Sequence, residues 1–272
     1  MPYNDSGEIA MSGVEDRGAL VTGAGSPEGI GFATARILAE RGARLAIAST
    51  TKRIFDRLAE LPGGAKRHVA FVADLTRPTP PGRLVAAAAA ALGQLDILVN
   101  NAGMTQTGRR ERASLLHRID DAEWARALEL NLTTAFRTTR AAVALMLRRR
   151  YGRIVHIASV TGPLVSNPRS AGYSAAKAAI VGMTRALALE TAARGITVNA
   201  VAPGWIATAS QTRPEVVAGR NTPAGRSGSA AEVGHVAAFL ASEEASYVTG
   251  QMIVVDGGNS VQEYKGPPAG YY

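Results

Sequence analysis

The chain has 272 residues, 46% of them hydrophobic and 19% charged, which fits a folded globular protein and excludes a fibrous or disordered one. It has no cysteine, so disulfides, iron–sulfur clusters and Cys-ligated zinc are excluded, and His68, His117, His156 and His235 show no metal-ligand spacing. Thirty Lys and Arg against 22 Asp and Glu give a net charge of +8, but the basic groups, Arg109, Arg110 and Arg112, then Arg148, Arg149, Arg150 and Arg153, lack interleaved aromatics. They read as solvated surface or helix-end charge and not as a nucleic-acid face.

Residues 1–16 contain Asp5, Glu8, Glu15 and Asp16 and no basic start followed by an apolar stretch, so they do not read as a secretory signal. The longest apolar run, 84–92, is less than half of the roughly 20 residues that span a bilayer. A cytoplasmic protein without a membrane span is expected.

Along the chain, short β-branched apolar runs alternate with longer Ala- and Leu-rich stretches at helical spacing. The former predict strands at 19–21, 45–48, 68–73, 97–100, 153–158, 197–202 and 252–256; the latter predict helices at 31–41, 83–92, 121–149, 173–193 and 230–242. Strands separated by helices imply one α/β domain over residues 18–259, a Rossmann-type doubly wound parallel sheet of about seven strands with helices on both faces. Residues 1–17 read as a flexible arm, 260–272 as a tail, and the polar stretch 207–228, with its Gly and Pro residues, as a lid insertion between a strand and a helix.

After the first strand comes Thr22-Gly23-Ala24-Gly25-Ser26-Pro27-Glu28-Gly29-Ile30-Gly31, and then a helix. Such a turn lets backbone amides from Gly23 to Gly31 approach a diphosphate at the positive end of a helix, with Gly23, Gly25, Ser26, Gly29, Ile30 and Gly31 as candidate contacts. Where an acidic residue would bond the adenosine ribose of NAD, the chain has Ser49, Thr50, Thr51, Lys52 and Arg53. Hydroxyls and cations accept a 2′-phosphate, so NADP(H) is favoured and NAD(H) is the alternative; Lys52 and Arg53 could instead open the next helix toward solvent. Asp74, with Leu75 beside it, ends the third strand and could bond the adenine amino group or cap a turn. Asn101, Ala102 and Gly103 end the fourth strand, where small residues leave room for a dinucleotide.

Tyr173-Ser174-Ala175-Ala176-Lys177 opens a helix, and a separation of four stacks Tyr173 and Lys177 on one face. An ammonium beside a phenol favours the phenolate, so the tyrosine can exchange protons near neutrality. Ser159 follows the fifth strand and brings a hydroxyl to the same sheet edge.

With these motifs, and with Asn131, Pro203-Gly204 and Asp256-Gly257-Gly258, the chain resembles the short-chain dehydrogenase/reductase family, in its single-domain branch that includes 3-oxoacyl-acyl-carrier-protein reductases, from about residue 18 to 259. The resemblance implies that Ser159, Tyr173 and Lys177 are catalytic with Asn131, which holds a water connecting Lys177 to solvent. It also implies that Tyr173, Lys177, Pro203, Gly204 and Ile206 border the nicotinamide, that Thr208 bonds its carboxamide or the phosphates, and that the protein is a homotetramer. Two features depart from the family pattern: the glycine turn is expanded, by Pro27 and Glu28, and the interval from Ser159 to Tyr173 is slightly longer. The apolar circumference of 173–193 and 141–147 independently predicts helices buried on a second side by another copy.

The expected reaction is hydride transfer between NADP(H) and a small-molecule carbonyl or secondary alcohol, a 3-oxoacyl thioester or another ketone. An NAD-dependent alcohol dehydrogenase of the same family is the alternative. A non-catalytic dinucleotide-binding protein would keep the glycine turn without needing Ser159, Tyr173 and Lys177 together. No metal is expected. Substrate choice is assigned to residues 105–117, 162–172 and 207–228 and to Trp205.

Overall fold

Seven short apolar runs line up side by side as parallel strands in the computed structural model, which describes residues 13–103 and 114–266. The first half of the sheet is built from β1 (Gly18–Thr22), β2 (Arg44–Ser49), β3 (Val69–Val72) and β4 (Ile97–Asn100), linked by α1 (Ile30–Glu40), α2 (Ile54–Glu60) and α3 (Pro80–Leu92). After α4 (Asp121–Leu128) and α5 (Thr134–Arg149), the second half adds β5 (Gly152–Ile157), α6 (Ala171–Thr191) and β6 (Ile196–Pro203). A two-strand ribbon, β7 (Ile206–Ala207) with β8 (Gly228–Ser229), brackets α7 (Arg213–Arg220), and α8 (Ala230–Leu240) leads into the last strand, β9 (Met252–Val255).

The strand order is β3-β2-β1-β4-β5-β6-β9, so the chain reverses direction across the sheet between β1 and β4 and opens a crevice at the strands' C-terminal ends. β1, β4, β5 and β6 are buried along their whole length, as expected for a parallel sheet covered on both faces. On one face Ile37, Leu38, Ile54, Val233 and Leu240 of α1, α2 and α8 pack on Val21, Ile47 and Val99. On the other, Leu84, Val85, Ala88 and Leu92 of α3, Ala142 and Met146 of α5, and Ala188 of α6 cover Leu20, Leu98, Ile154 and Val198. Each fully buried Leu or Ile contributes about 1.5–3 kcal/mol. Gly234 lets α8 cross close to α1, since a Cβ there would lie 2.8 Å from Ile37 Cδ1 and 3.2 Å from the Thr34 amide.

Helix starts carry their own signals. Asp120 accepts the Glu123 amide at 2.7 Å at the start of α4, and Ser229 and Glu232 cap α8 reciprocally.

The expected doubly wound sheet of seven strands is present, with four local differences. The stretch 121–149 is not one helix: α4 and α5 are joined by a π-helical segment, Glu129–Thr133. α2 escaped the periodicity analysis because only Ile54 of its seven residues is buried. The stretch 207–228 contains a helix, α7, where Glu215 accepts from the Thr212 amide and hydroxyl at 2.6 and 2.9 Å. Residues 260–266 do not trail away as a tail but fold back, with Gln262 Nε2 donating to the Asn221 carbonyl at 3.1 Å. The cluster Arg109, Arg110 and Arg112, most of 105–117, the arm up to residue 12 and the last six residues lie outside the described residues.

Candidate active site

A cleft of about 1250 Å³ occupies the crevice at the strands' C-terminal ends. One end begins at the glycine turn after β1, where Gly23, Gly25, Ser26, Gly29 and Ile30 line the wall and Gly29 precedes the first turn of α1. Gly23 has φ +70°, and a Cβ there would lie 2.8 Å from Ala102 Cα; one on Gly25 would lie 2.8 Å from Ser49 Cβ. The turn is therefore pressed between the ends of β2 and β4, with no room for side chains.

Asn101 locks this arrangement, its Nδ2 donating to the Thr22 and Gly23 carbonyls at 3.2 and 3.0 Å while the Asn101 and Ala102 amides donate to Thr22 Oγ1. Asn101, Ala102 and Gly103 still line the cleft. Gly31 does not; it lies buried under the turn, where a Cβ would meet Asn101 Nδ2 at 2.4 Å and the Gly23 carbonyl oxygen at 2.7 Å. Its place is one of close packing between helix and turn.

Ser49, Thr50, Thr51 and Arg53 line the cleft beyond β2, and the sequence holds no carboxylate from Ala48 to Arg53. Ser49 Oγ donates to the Thr51 carbonyl at 3.0 Å, and Arg53 is exposed at the start of α2. Lys52 is exposed and stands outside the lining. Asp74 and Leu75 form the opposite wall. Asp74 Oδ1 accepts the Thr76 amide at 3.1 Å and the Thr76 hydroxyl at 2.6 Å, so the turn-capping reading of Asp74 is realised and only Oδ2, 3.7 Å from Arg77, faces elsewhere.

At the other end, Ser159, Tyr173 and Lys177 line the same cleft. Ser159 is 8% exposed, and its Oγ accepts the Thr161 amide at 3.0 Å. Tyr173 and Lys177 share one face of α6, with Lys177 Nζ 5.7 Å from the Tyr173 ring centre. Lys177 is 5% exposed and donates to the Ile157 carbonyl at 2.9 Å; burial lowers its pKa from 10.5 to about 8.

Asn131 sits just behind the wall, 1% exposed, its Nδ2 donating to the Ala127 carbonyl at 3.1 Å. A Cβ on Gly103 would lie 3.2 Å from Asn131 Oδ1 and 3.8 Å from Lys177 Nζ, so both groups converge on that glycine. Asn131 owes its place to the π-helical segment, whose wider turn re-aims side chains that a continuous α-helix would send elsewhere. Arg137 braces the segment from α5: it pairs with Glu129 and donates to the Thr76 carbonyl at 2.9 Å, tying the π turn to the loop that carries Asp74.

Several lining residues carried no signal of their own in the sequence. Val165, Ser166, Asn167 and Ser170 reach the cleft because Gly162, at φ +107°, lies flush on α6, where a Cβ would come within 2.2 Å of the Ser174 carbonyl oxygen. Pro203 at the end of β6 and Gly204, Trp205, Ile206 and Thr208 after it enter the cleft, with Gln211, Pro214 and Val217 beyond them. Asn259 and Lys265 enter from the folded-back C-terminal segment.

Comparison with known proteins agrees with this architecture. Residues 23–260 match the family model described as enoyl-(acyl carrier protein) reductase. The chain is 40% identical over 250 residues to the 3-oxoacyl-[acyl-carrier-protein] reductase FabG of Escherichia coli (strain K12), covering 90% of this chain and 97% of that one. It is 43% identical over 247 residues to nodulation protein G of Rhizobium sp. (strain N33), covering 89% and 96%. A crystal structure described as a short-chain alcohol dehydrogenase from Sinorhizobium meliloti 1021 superimposes with a TM-score of 0.82 at 36% identity, covering 91% of this chain and 98% of that one. Among the described residues no helix is long and apolar enough to cross a membrane. A doubly wound sheet with a glycine turn at its switch point, matched over nearly its whole length, makes this chain a member of the short-chain dehydrogenase/reductase family, an NAD(P)-dependent oxidoreductase acting on carbonyl and alcohol groups.

Proposed function

We propose that the chain reduces a ketone with NADPH, through Ser159, Tyr173, Lys177 and Asn131. The observation that carries this reading is the convergence of three of these side chains on one cleft that begins at the glycine turn, with the fourth, like Lys177, close behind Gly103. The cradle fits a dinucleotide: Gly23 and Gly25 leave backbone where any Cβ would collide, and the helix that starts beyond Gly29 presents its positive end. Gly23, Gly25, Ser26, Gly29 and Ile30 would hold the diphosphate, Asp74 and Leu75 the adenine, and Pro203, Gly204, Ile206 and Thr208 the nicotinamide end. Arg53, with the hydroxyls of Ser49, Thr50 and Thr51 and no carboxylate among them, favours the 2′-phosphate of NADP(H) over the free ribose of NAD(H).

When bound, the dinucleotide supplies or accepts the hydride. The remaining work belongs to the chain. Tyr173 gives its phenolic proton to the carbonyl oxygen during reduction, and Ser159 donates a hydrogen bond to the same oxygen as negative charge develops there. The Thr161 amide occupies an acceptor site of Ser159 Oγ, and the hydroxyl keeps its proton to donate. Lys177, held by the Ile157 carbonyl, stabilises the phenolate left behind. Its pKa of about 8 keeps the ammonium dominant at neutral pH while allowing it to pass a proton on, and Asn131 beside it holds the water that receives it. The stretch 207–228 acts as a lid over the substrate. A 3-oxoacyl thioester is the first substrate class to try, given the likeness to FabG.

The outer faces of α5 and α6 support a homo-oligomer, a tetramer by the family pattern. Phe136 is 43% and Leu189 86% exposed, and the exposed small residues Ala144 of α5 and Ala179, Gly182 and Ala186 of α6 would let a second copy approach closely.

The test is turnover of a ketone panel by the wild type and Tyr173→Phe, followed by nicotinamide absorbance with both cofactors. The variant is expected to bind NADPH as before and to lose at least about 100-fold in kcat, the contribution of a general acid. Undiminished reduction by Tyr173→Phe removes the tyrosine from its role, and a clear preference for NADH removes the assignment to NADP.

A further inference from the structure

Among the described residues, five charged side chains line the cleft: Arg53, Asp74, Lys177, Glu215 and Lys265. Four of them have work elsewhere. Arg53 and Asp74 stand at the nucleotide end, Lys177 is buried against Tyr173 and the Ile157 carbonyl, and Glu215 is taken up by the Thr212 amide and hydroxyl at the start of α7. Lys265 is different. Its Nζ donates to the Asn259 carbonyl, and no carboxylate among the described residues lies within ion-pair distance of it. An ammonium carries three donors, so the remaining two face the cleft or solvent.

The position of this lysine is built. β9 pairs with β6, so the chain leaves the sheet beside Pro203 and Gly204. Asp256 then turns it, its carboxylate accepting the Gly258 amide at 3.0 Å and the Ser260 amide at 2.6 Å. Gly257 and Gly258 have φ of +64° and +85°, and a Cβ on either would come within 2.9 Å of Ala224 or 3.0 Å of Pro223. The chain is thus folded flat onto the base of the lid, and the Ala224 amide donates to the Gly257 carbonyl at 3.1 Å. Gln262 Nε2 completes the anchorage on the Asn221 carbonyl at the end of α7. Neither partner in this anchorage belongs to the nucleotide cradle. Its effect is to carry a cation to the substrate end of the cleft, where Val165, Trp205, Pro214 and Val217 are apolar or aromatic, Ser166, Asn167, Ser170 and Gln211 are polar but uncharged, and Glu215 is, besides the buried Lys177, the one other charged side chain among the described residues.

We infer that Lys265 selects ketones bearing an anionic group, a carboxylate or a phosphate, at a distance from the carbonyl. The inference rests on the ketone-reductase reading above and deepens it by naming the substrate class. In that arrangement the anion accepts hydrogen bonds from the Lys265 ammonium at the cleft mouth while the carbonyl reaches Tyr173 and Ser159. A charge-assisted bond at an exposed site is screened, so the selectivity is about fivefold and declines as salt is raised.

The test uses the full-length enzyme with NADPH and two pairs of ketones: levulinate with its methyl ester, and dihydroxyacetone phosphate with dihydroxyacetone. Wild type, Lys265→Ala, Lys265→Glu and Lys265→Arg are compared for turnover, and levulinate and dihydroxyacetone phosphate binding is measured separately by fluorescence of the enzyme–NADPH complex. The expected result is an anion-to-neutral ratio of kcat/KM that falls about fivefold in Lys265→Ala through KM and not kcat, falls further in Lys265→Glu, and is kept in Lys265→Arg. A response confined to levulinate assigns a carboxylate, and one confined to dihydroxyacetone phosphate assigns a phosphate; either supports the inference. Equal dissociation constants for both anions in wild type and Lys265→Ala overturn it, whether or not the ketones turn over. Absence of turnover on all four ketones counts instead against the reductase reading.

Discussion

His156 is fully buried on β5, and what it touches fixes its chemistry. Its Nδ1 accepts from Asn100 Nδ2 at 3.1 Å, which leaves the ring proton on Nε2 and the ring neutral. Thr138 in turn donates to Asn100 Oδ1 at 2.5 Å and Asn100 Nδ2 donates to Thr139 Oγ1 at 2.8 Å, so β4, β5 and α5 are joined by one polar knot inside an apolar core. Burial, and then the charge of Lys177, lower the His156 pKa from 6.5 to about 4. The unfolded chain therefore binds a proton between about pH 6.5 and 4 that the folded chain does not, and stability falls as pH drops through that window. The full effect is about 3 kcal/mol. Denaturant titrations at pH 7 and near the lower end of the window should show this loss in the wild type and a much smaller one in His156→Gln, corrected for its own cost at pH 7. An equal acid loss in both proteins would place the sensitivity in other groups.

At the scale of elements, the site depends on two close approaches and one irregular turn. Gly31 in α1 allows the helix to seat on the glycine turn, and Asn101 at the end of β4 holds that turn by three bonded contacts with Thr22 and Gly23. Gly31→Ala puts a methyl group 2.4 Å from Asn101 Nδ2 and 2.7 Å from the Gly23 carbonyl, and the backbone partner cannot rotate away. We expect a loss of about 1–3 kcal/mol in urea denaturation together with weaker dinucleotide binding. A stable variant with unchanged NADPH affinity would show that the turn can move aside. The irregular turn is the π-helical segment between α4 and α5, which sets Asn131 beside Gly103 and is braced by Arg137 across to Thr76.

For the whole molecule, the question is what covers α5 and α6. Phe136 on α5 and Leu189 on α6 are exposed apolar side chains among exposed small residues, alongside Arg185 and Arg140, which stacks on Phe136 at 5.0 Å. Light scattering at micromolar concentration is expected to give a mass well above the monomer's 28.3 kDa, and Leu189→Glu should lower it by placing a charge in the contact. A wild-type monomer at that concentration overturns the oligomer.

The layered sheet, the glycine turn and the pairing of Tyr173 with Lys177 are legible in the residues alone, because each follows from short-range pattern: apolar runs of strand length, glycines before a helix, and a spacing of four on one helical face. The sequence also supplied the absence of a carboxylate after β2, on which the cofactor proposal stands. Tertiary structure decided the rest. The π turn at Asn131 has no sequence period, because it is set by how α4 and α5 pack over β4 and α6. The short helices α2 and α7 bury too little for their patterns to show. The place of Lys265 came only from the return of the chain over residues 221–224, since a lysine ten residues past the last strand is indistinguishable in sequence from any solvated one until Asp256, the two glycines and Gln262 fix where it lands.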